Sequence, residues 1–292
     1  MNIRKSLLCF AGLAFAAVTV SAADAPTVTV KCTDAKAKGA VQTDAYAINN
    51  AGVIAGDFID SSGVQHGMLL TGTTPTSFDG PPGSTLIAAY GINNSKAVVG
   101  WYNDANGINT GFMWANGQMT PVAFPKAVST QANGINDNGW IVGSYVDTLG
   151  VTHGFYWDTK KYHKITVKGA ASTQAWAINN ANLITVFTLD PNGVPLDGYV
   201  YDRKTFTNMD VPGATSTVIH GINNNGDINY TIFDASSNRH GVLLHAGTYT
   251  QFDDPKGVNT TRADGINDSM AMVGRYSPPD NSNAGFKAKV KP

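Results

Sequence analysis

The chain has 292 residues, with 20 Lys and Arg against 21 acidic residues, a formal net charge of −1 and 10% aromatic residues. That balance lacks the basic patch or high pI of a nucleic-acid binder, so no nucleic-acid partner is expected. Every acidic residue is an aspartate; the absence of glutamate excludes HExxH zinc proteases and any glycosidase with a glutamate acid or base.

Met1 to Ala22 reads as a secretory signal peptide: Arg4 and Lys5 are followed by an apolar run from Leu7 to Val20, and Val20-Ser21-Ala22 places small residues at −3 and −1 of a cleavage site. A secreted domain is therefore expected over residues 23–292, in a periplasm or outside the cell. No later stretch approaches the roughly 20 apolar residues of a membrane helix, so no membrane insertion is expected. Without Arg4 and Lys5 the basic count falls to 18 against 21 acidic residues, a net charge of −3. Cys9 leaves with the signal, and Cys32 alone can form neither an intramolecular disulfide nor a Cys-ligated metal site. A monomer with no metal and no cofactor is the expectation.

A lone strand, Thr27 to Cys32, precedes a repeat. The triplet Gly/Ala-Ile-Asn recurs with its asparagine at Asn49, Asn93, Asn136, Asn179, Asn223 and Asn267, spacings of 44, 43, 43, 44 and 44 residues. Each triplet leads into an Asn/Asp/Gly turn, an apolar strand such as Ile141 to Tyr145, and an Asp-led turn such as Asp60 to Gly63. A His-Gly strand and a last short strand near Phe78, Phe124 or Phe252 complete each copy. Four short strands joined by such turns describe an antiparallel blade. A blade cannot bury both its faces alone, so copies must stack, and radial closure protects the edges. The last copy ends at its third strand, Ala284 to Val290, while the N-terminus has one strand to spare. The expected fold is all-β: a six-bladed β-propeller of four-stranded blades, the last completed by the N-terminal strand.

The repeat resembles the bacterial extracellular HAF family, named for a core that stands here as His153-Gly154-Phe155. The likeness covers essentially the whole chain after the signal. It implies a secreted, β-propeller-like repeat protein and no particular chemistry. Asp197-Gly198-Tyr199, Val242 in place of Phe, and Ala284-Gly285-Phe286 depart from the pattern.

His66, His153 and His240 occupy one repeat position in non-adjacent copies, which favours hairpin hydrogen bonding over a shared metal site. The Asp-led turns lack the ligand run of a calcium loop and read as turns in which aspartate holds its own backbone. Lys287, Lys289 and Lys291 read as solubilising. The informative position precedes each triplet, where the copies differ freely: Tyr46, Tyr90, Asn133, Trp176, His220 and Asp264. Two residues earlier, on the same strand face, stand Asp44, Gln131, Gln174, Val218 and Arg262. On innermost strands these side chains ring the mouth of a central channel, and aromatics with amides and carboxylates suit a carbohydrate or small polar ligand. Blade-to-blade packing is the bland alternative. A lyase or hydrolase acting on polysaccharide, with His220 as base, Asp264 as its orienting carboxylate and Arg262, is the enzymatic one. A structural surface or matrix protein is a third reading. The strand glycine seen as Gly56, Gly100, Gly143 and Gly274 is read as Thr185 and Asn229 in copies four and five, two deviant neighbours.

Overall fold

The computed structural model describes residues 29–279 and 282–291; the signal peptide expected at 1–22, and Thr27 and Val28 of the first strand, lie outside them. Twenty-four strands and no helix make up the described residues. Blade 1 contains β2 (Gln42–Ile48), β3 (Ile54–Ile59), β4 (Gln65–Thr71) and β5 (Thr74–Phe78). Blade 2 is β6 (Leu86–Ile92), β7 (Val98–Asn103), β8 (Asn109–Ala115) and β9 (Gln118–Val122). Blade 3 is β10 (Ser129–Ile135), β11 (Ile141–Val146), β12 (Thr152–Trp157) and β13 (Tyr162–Ile165). Blade 4 is β14 (Ser172–Ile178), β15 (Ile184–Leu189), β16 (Pro195–Tyr201) and β17 (Phe206–Asn208). Blade 5 is β18 (Ser216–Ile222), β19 (Ile228–Phe233), β20 (Arg239–His245) and β21 (Thr248–Phe252). The last copy, blade 6, supplies β22 (Arg262–Ile266), β23 (Met272–Tyr276) and β24 (Ala284–Lys291). Against β24 lies β1 (Thr29–Asp34), antiparallel, from Thr29 opposite Lys291 to Asp34 opposite Phe286.

Burial runs almost unbroken along strands such as β3 and β11, so each blade is covered on both faces, and the core divides into six clusters, each between two neighbours. Phe78, Ile87 and Phe112 pack blades 1 and 2; Val99, Tyr145 and Phe155 pack 2 and 3. Ile165 and Val186 join 3 and 4, Phe187 and Tyr230 join 4 and 5, and Leu243 and Phe286 join 5 and 6. The sixth cluster sets Ala271 and Val273 against Met68 and Leu70, so the last copy packs on the first.

The triplet asparagines link the copies. Asn49 Oδ1 accepts the Val53 N–H across its own turn, and its Nδ2 donates to the Asn93 carbonyl of the next copy. The same amide contact runs from Asn93 to Asn136, to Asn179, to Asn223, to Asn267 and from Asn267 back to Asn49. The following residues make a second cycle: the Asn50 N–H donates to Asn94 Oδ1, and so on through Asp137, Asn180, Asn224 and Asp268, whose N–H donates to Asn50 Oδ1. In that cycle the amides of Asn94 and Asn180 both donate to Asp137 Oδ2, and those of Asn224 and Asn50 to Asp268 Oδ2. Four side-chain donors thus meet two carboxylate oxygens, each accepting twice.

Every inner strand carries a β-bulge at the residue just before its triplet, between Ala45 and Ala47 in blade 1, for example. Opposite it Gly56 comes so close that a Cβ there would stand 1.9 Å from the Asp44 carbonyl oxygen, and Gly143 stands in the same relation to Gln131 at 2.0 Å. In blades 4 and 5 the residues paired at that place are Val186 with Ala175 and Tyr230 with Ile219. This corrects the sequence alignment by one residue: Val186 and Tyr230 replace the glycine, while Thr185 and Asn229 stand where other copies have Ala55, Val99, Val142 and Val273. A side chain at the glycine's place cannot approach so closely, and the irregularity there spans two residues, Trp176–Ala177 and His220–Gly221. Thr185 and Asn229 bridge the gap. Thr185 Oγ1 accepts from the Ala177 N–H (2.9 Å) and donates to the His220 carbonyl (2.7 Å), and Asn229 Oδ1 accepts from the Gly221 N–H (2.7 Å).

Candidate functional site

The copy-variable residues Tyr46, Tyr90, Asn133, Trp176, His220 and Asp264 fall at the bulges of the six inner strands. A bulged residue has no cross-strand partner, which frees its identity from the pairing that holds the rest of the strand alike. All six turn toward one axis, and they fill it. Tyr46 and Tyr90 pack at 4.3 Å between ring centroids, Tyr90 meets Trp176 edge-on at 5.4 Å, and Trp176 meets His220 edge-on at 5.2 Å. Asn133 donates its amide to the Ala175 carbonyl. Tyr46, Asn133, His220 and Asp264 are buried; only Tyr90 and Trp176 keep partial exposure. The cavity left among the ring is about 80 Å³. A second, of about 70 Å³, lies beneath the asparagine cycles, and the six triplet isoleucines line both. Such spaces hold a few waters at about 30 Å³ each and fall well below the roughly 300 Å³ of a small-ligand pocket.

Just outside the ring sits a charged cluster. Arg262 donates Nε to Asp264 Oδ1 (2.7 Å) and lies over the Trp176 ring; Arg275 lies over Tyr46 (4.7 Å to the centroid) with Nε 3.5 Å from Asp264 Oδ2. Asp44 accepts from the Gln42 amide, and Asp57 is its cross-strand neighbour. Burial, and then the Asp44 charge, push the Asp57 carboxyl up to about 7; no well-aligned hydrogen bond reaches either oxygen, although Gln65 and Tyr46 face it and partly offset the shift. Asp57 and Arg275 share a second freely varying column, one residue after the strand glycine, with Trp101, Ser144, Phe187 and Thr231. That column was the signal by which sequence comparison could have found them.

His220 Nδ1 stands 3.9 Å from Asp264 Oδ1, too far for a hydrogen bond, and neither ring nitrogen has a hydrogen-bond partner. Burial, then Arg262 and Arg275, hold its pKa well below the usual histidine value, so the imidazole is neutral. The three residues of the enzymatic reading are therefore neighbours, but without a base–carboxylate hydrogen bond. The repeat histidines tie hairpins together: His66 to Asp79 and Asp60, His153 to Asp147, and His240 to Asp253 and Asp234. The turn aspartates Asp60, Asp104, Asp147, Asp190 and Asp234 each accept two backbone N–H groups of their own turn through Oδ1.

Room for a ligand opens beside the ring, at the axial end where the inner strands begin. A pocket of about 290 Å³ lies between blades 4 and 5 and reaches Arg262 on blade 6. Trp176 and Phe187 give it aromatic walls, and Gln174, Thr231, Arg239 and Arg262 give it polar groups. Thr231 Oγ1 is buried with no hydrogen-bond partner. Arg239 opens β20, outside both variable columns, and no sequence pattern marked it. A wider groove of about 590 Å³ between blades 1 and 2, lined by Ile59, Val64, Pro82 and Leu86 among others, has no aromatic wall.

No protein-family model matches the chain, and no curated protein matches it. Among solved structures it is similar to the Aleuria aurantia lectin in complex with Fucα1-6GlcNAc, with a TM-score of 0.52 and 11% identity over 86% of this chain and 95% of that one. A second structure of that fungal lectin, described as having a six-bladed β-propeller fold and a novel fucose recognition mode, gives a TM-score of 0.51 and 10% identity, covering 91% and 95% of the two chains. TolB from Acinetobacter baumannii gives a TM-score of 0.52 and 11% identity over 87% of this chain and 66% of that one. At these identities the likeness establishes the propeller fold.

Proposed function

We propose that the chain is a secreted, monomeric, carbohydrate-binding protein of the HAF repeat type, a six-bladed propeller whose ring is fastened by β1. The sugar is held at the open axial end by the Trp176 edge of the variable ring. The carrying observation is the pocket of about 290 Å³ in which Trp176 and Phe187 stand beside Gln174 and Thr231. Flat apolar walls next to unpaired hydrogen-bonding groups match the two kinds of surface a pyranose presents. The likeness to lectin propellers supports the reading through the scaffold alone, because one fold hosts many functions. Tyr46, Tyr90, Asn133, His220 and Asp264 serve this site from behind, as the packed floor that holds Trp176 in place.

A glycan array followed by calorimetry tests the reading. Binding should appear for at least one saccharide class and weaken roughly tenfold or more in both Trp176→Ala and Gln174→Ala, a loss of the size of one good contact. Gln174 is half-buried and forms no part of the aromatic packing, so Gln174→Ala separates lost binding from lost folding. Unchanged affinity in both variants would remove the pocket from consideration.

A further inference from the structure

The chain contains 21 aspartates and no glutamate, yet no aspartate lines the pocket between blades 4 and 5. Its charged lining groups are Arg239 and Arg262, joined by the neutral donors of Gln174, Thr231 and His220. The ion pair of Arg262 is made through Nε, with Asp264. Arg239 is exposed, its backbone N–H fixed by the Asn259 carbonyl, and no carboxylate pairs with it among the described residues. Partial desolvation of the guanidinium against the pocket wall, then the charges of Arg262 and Arg275, lower its pKa, with Asp264 the opposing charge. Three guanidiniums thus gather near one opening while the carboxylates that offset them, Asp264 and Asp44, lie behind on the buried side. A neutral sugar leaves Arg239 unmatched there.

Resting on the carbohydrate reading above, we infer that the pocket takes a saccharide bearing a carboxylate, its ring against Trp176 and Phe187 and its carboxylate on Arg239 and Arg262. The planar guanidinium fork matches a carboxylate in two parallel hydrogen bonds. The unpartnered Thr231 hydroxyl is buried in the same wall and has a hydrogen to give.

The test sets a uronate tetrasaccharide and a sialylated trisaccharide each beside its carboxyl-reduced form, in calorimetry with the full secreted chain. At least one acidic form should bind roughly 10- to 100-fold more tightly than its reduced partner, the range of a charge-assisted hydrogen bond. Raising the salt should narrow that gap. Arg239→Gln should close it to within about twofold, and Arg239→Lys should restore part of it. Arg239 is exposed at the start of a strand, so a circular dichroism melt like that of the parent should accompany the loss. Acidic and reduced forms binding alike, or a gap that survives Arg239→Gln, would overturn the inference and leave the carbohydrate reading standing. Binding of none of these probes and of nothing on the glycan array would end both.

Discussion

Thr185 shows how a residue that breaks the repeat can be required by the break. Its hydroxyl joins the Ala177 N–H of its own blade to the His220 carbonyl of the next, where the other blades have backbone pairing. Thr185→Val keeps the shape but leaves a buried N–H and a buried carbonyl without that partner, which costs about 1–3 kcal/mol each at most. Urea unfolding should register a loss of that order, and Thr185→Ser should recover most of it. Stability unchanged in Thr185→Val would mean that the two strands re-pair without the side chain. The sequence marked Thr185 and Asn229 as deviant but misplaced the deviation by one position. Counted seven residues on from each triplet asparagine, as from Asn49 to Gly56, the glycine's place falls on Val186 and Tyr230, so the constant spacing already carried the right register; Thr185 and Asn229 stood out because a polar residue stands there in place of Ala or Val.

At the scale of the element, the repeat spacing made the blades legible, since each turn carries its own chemistry. The triplet asparagines close the first hairpin, and the aspartates close the second. The outward course of the variable column was less legible. Alternation correctly placed Gln174 with Trp176 and Val218 with His220 on one pocket wall, but it said nothing of how far six inner strands converge, and so suggested an open mouth where side chains meet. Arg239 escaped because it belongs to a third strand, at whose start it lies opposite Phe233 of the pocket wall. The strand β1 provides a sharper test. It covers the outer edge of β24 and adds Val30 and Cys32 to the cluster around Phe286. Removing residues 29–34 should leave β24 as a bare edge, prone to pairing with another chain. A lower melting temperature and higher-order species in size-exclusion chromatography are the expected outcome. A truncated chain that melts like the parent and elutes as one species would show β1 to be dispensable.

The charges of the whole molecule set an acid-leaning stability profile. The Asp57 carboxyl rises from 3.8 to about 7 on folding, so the folded state binds more protons than the unfolded chain between those values. Its favourable contribution is complete below about pH 4 and is lost as the pH climbs to 7, and Asp44 shifts the same way for the same first cause, burial. His66 and His240 are raised by their aspartates against the opposing effect of burial, and their stabilisation fades above the ordinary value of 6.5. On the other side Asp234, brought down to about 2 by Asn238 and its own turn, loses its contribution as the pH falls below 4. Thermal melts should therefore peak at about pH 4, where the turn aspartates are already charged and Asp57 is still protonated in the fold, and decline through pH 7, the histidines adding to the fall above 6.5. Asp57→Asn should flatten the decline, and a profile that rises through pH 7 in the parent would contradict the assignment. The rim, two amides and then a carboxylate, twice over, has a consequence for ancestry. Two Asn for each Asp balances only when members are added in threes: gain of one Asn copy or loss of one Asp copy strands an amide, and the opposite changes leave an acceptor unfilled. In this rim the molecule is a half of three blades written twice, and a three-copy ancestor pairing with itself would already have satisfied the same arithmetic.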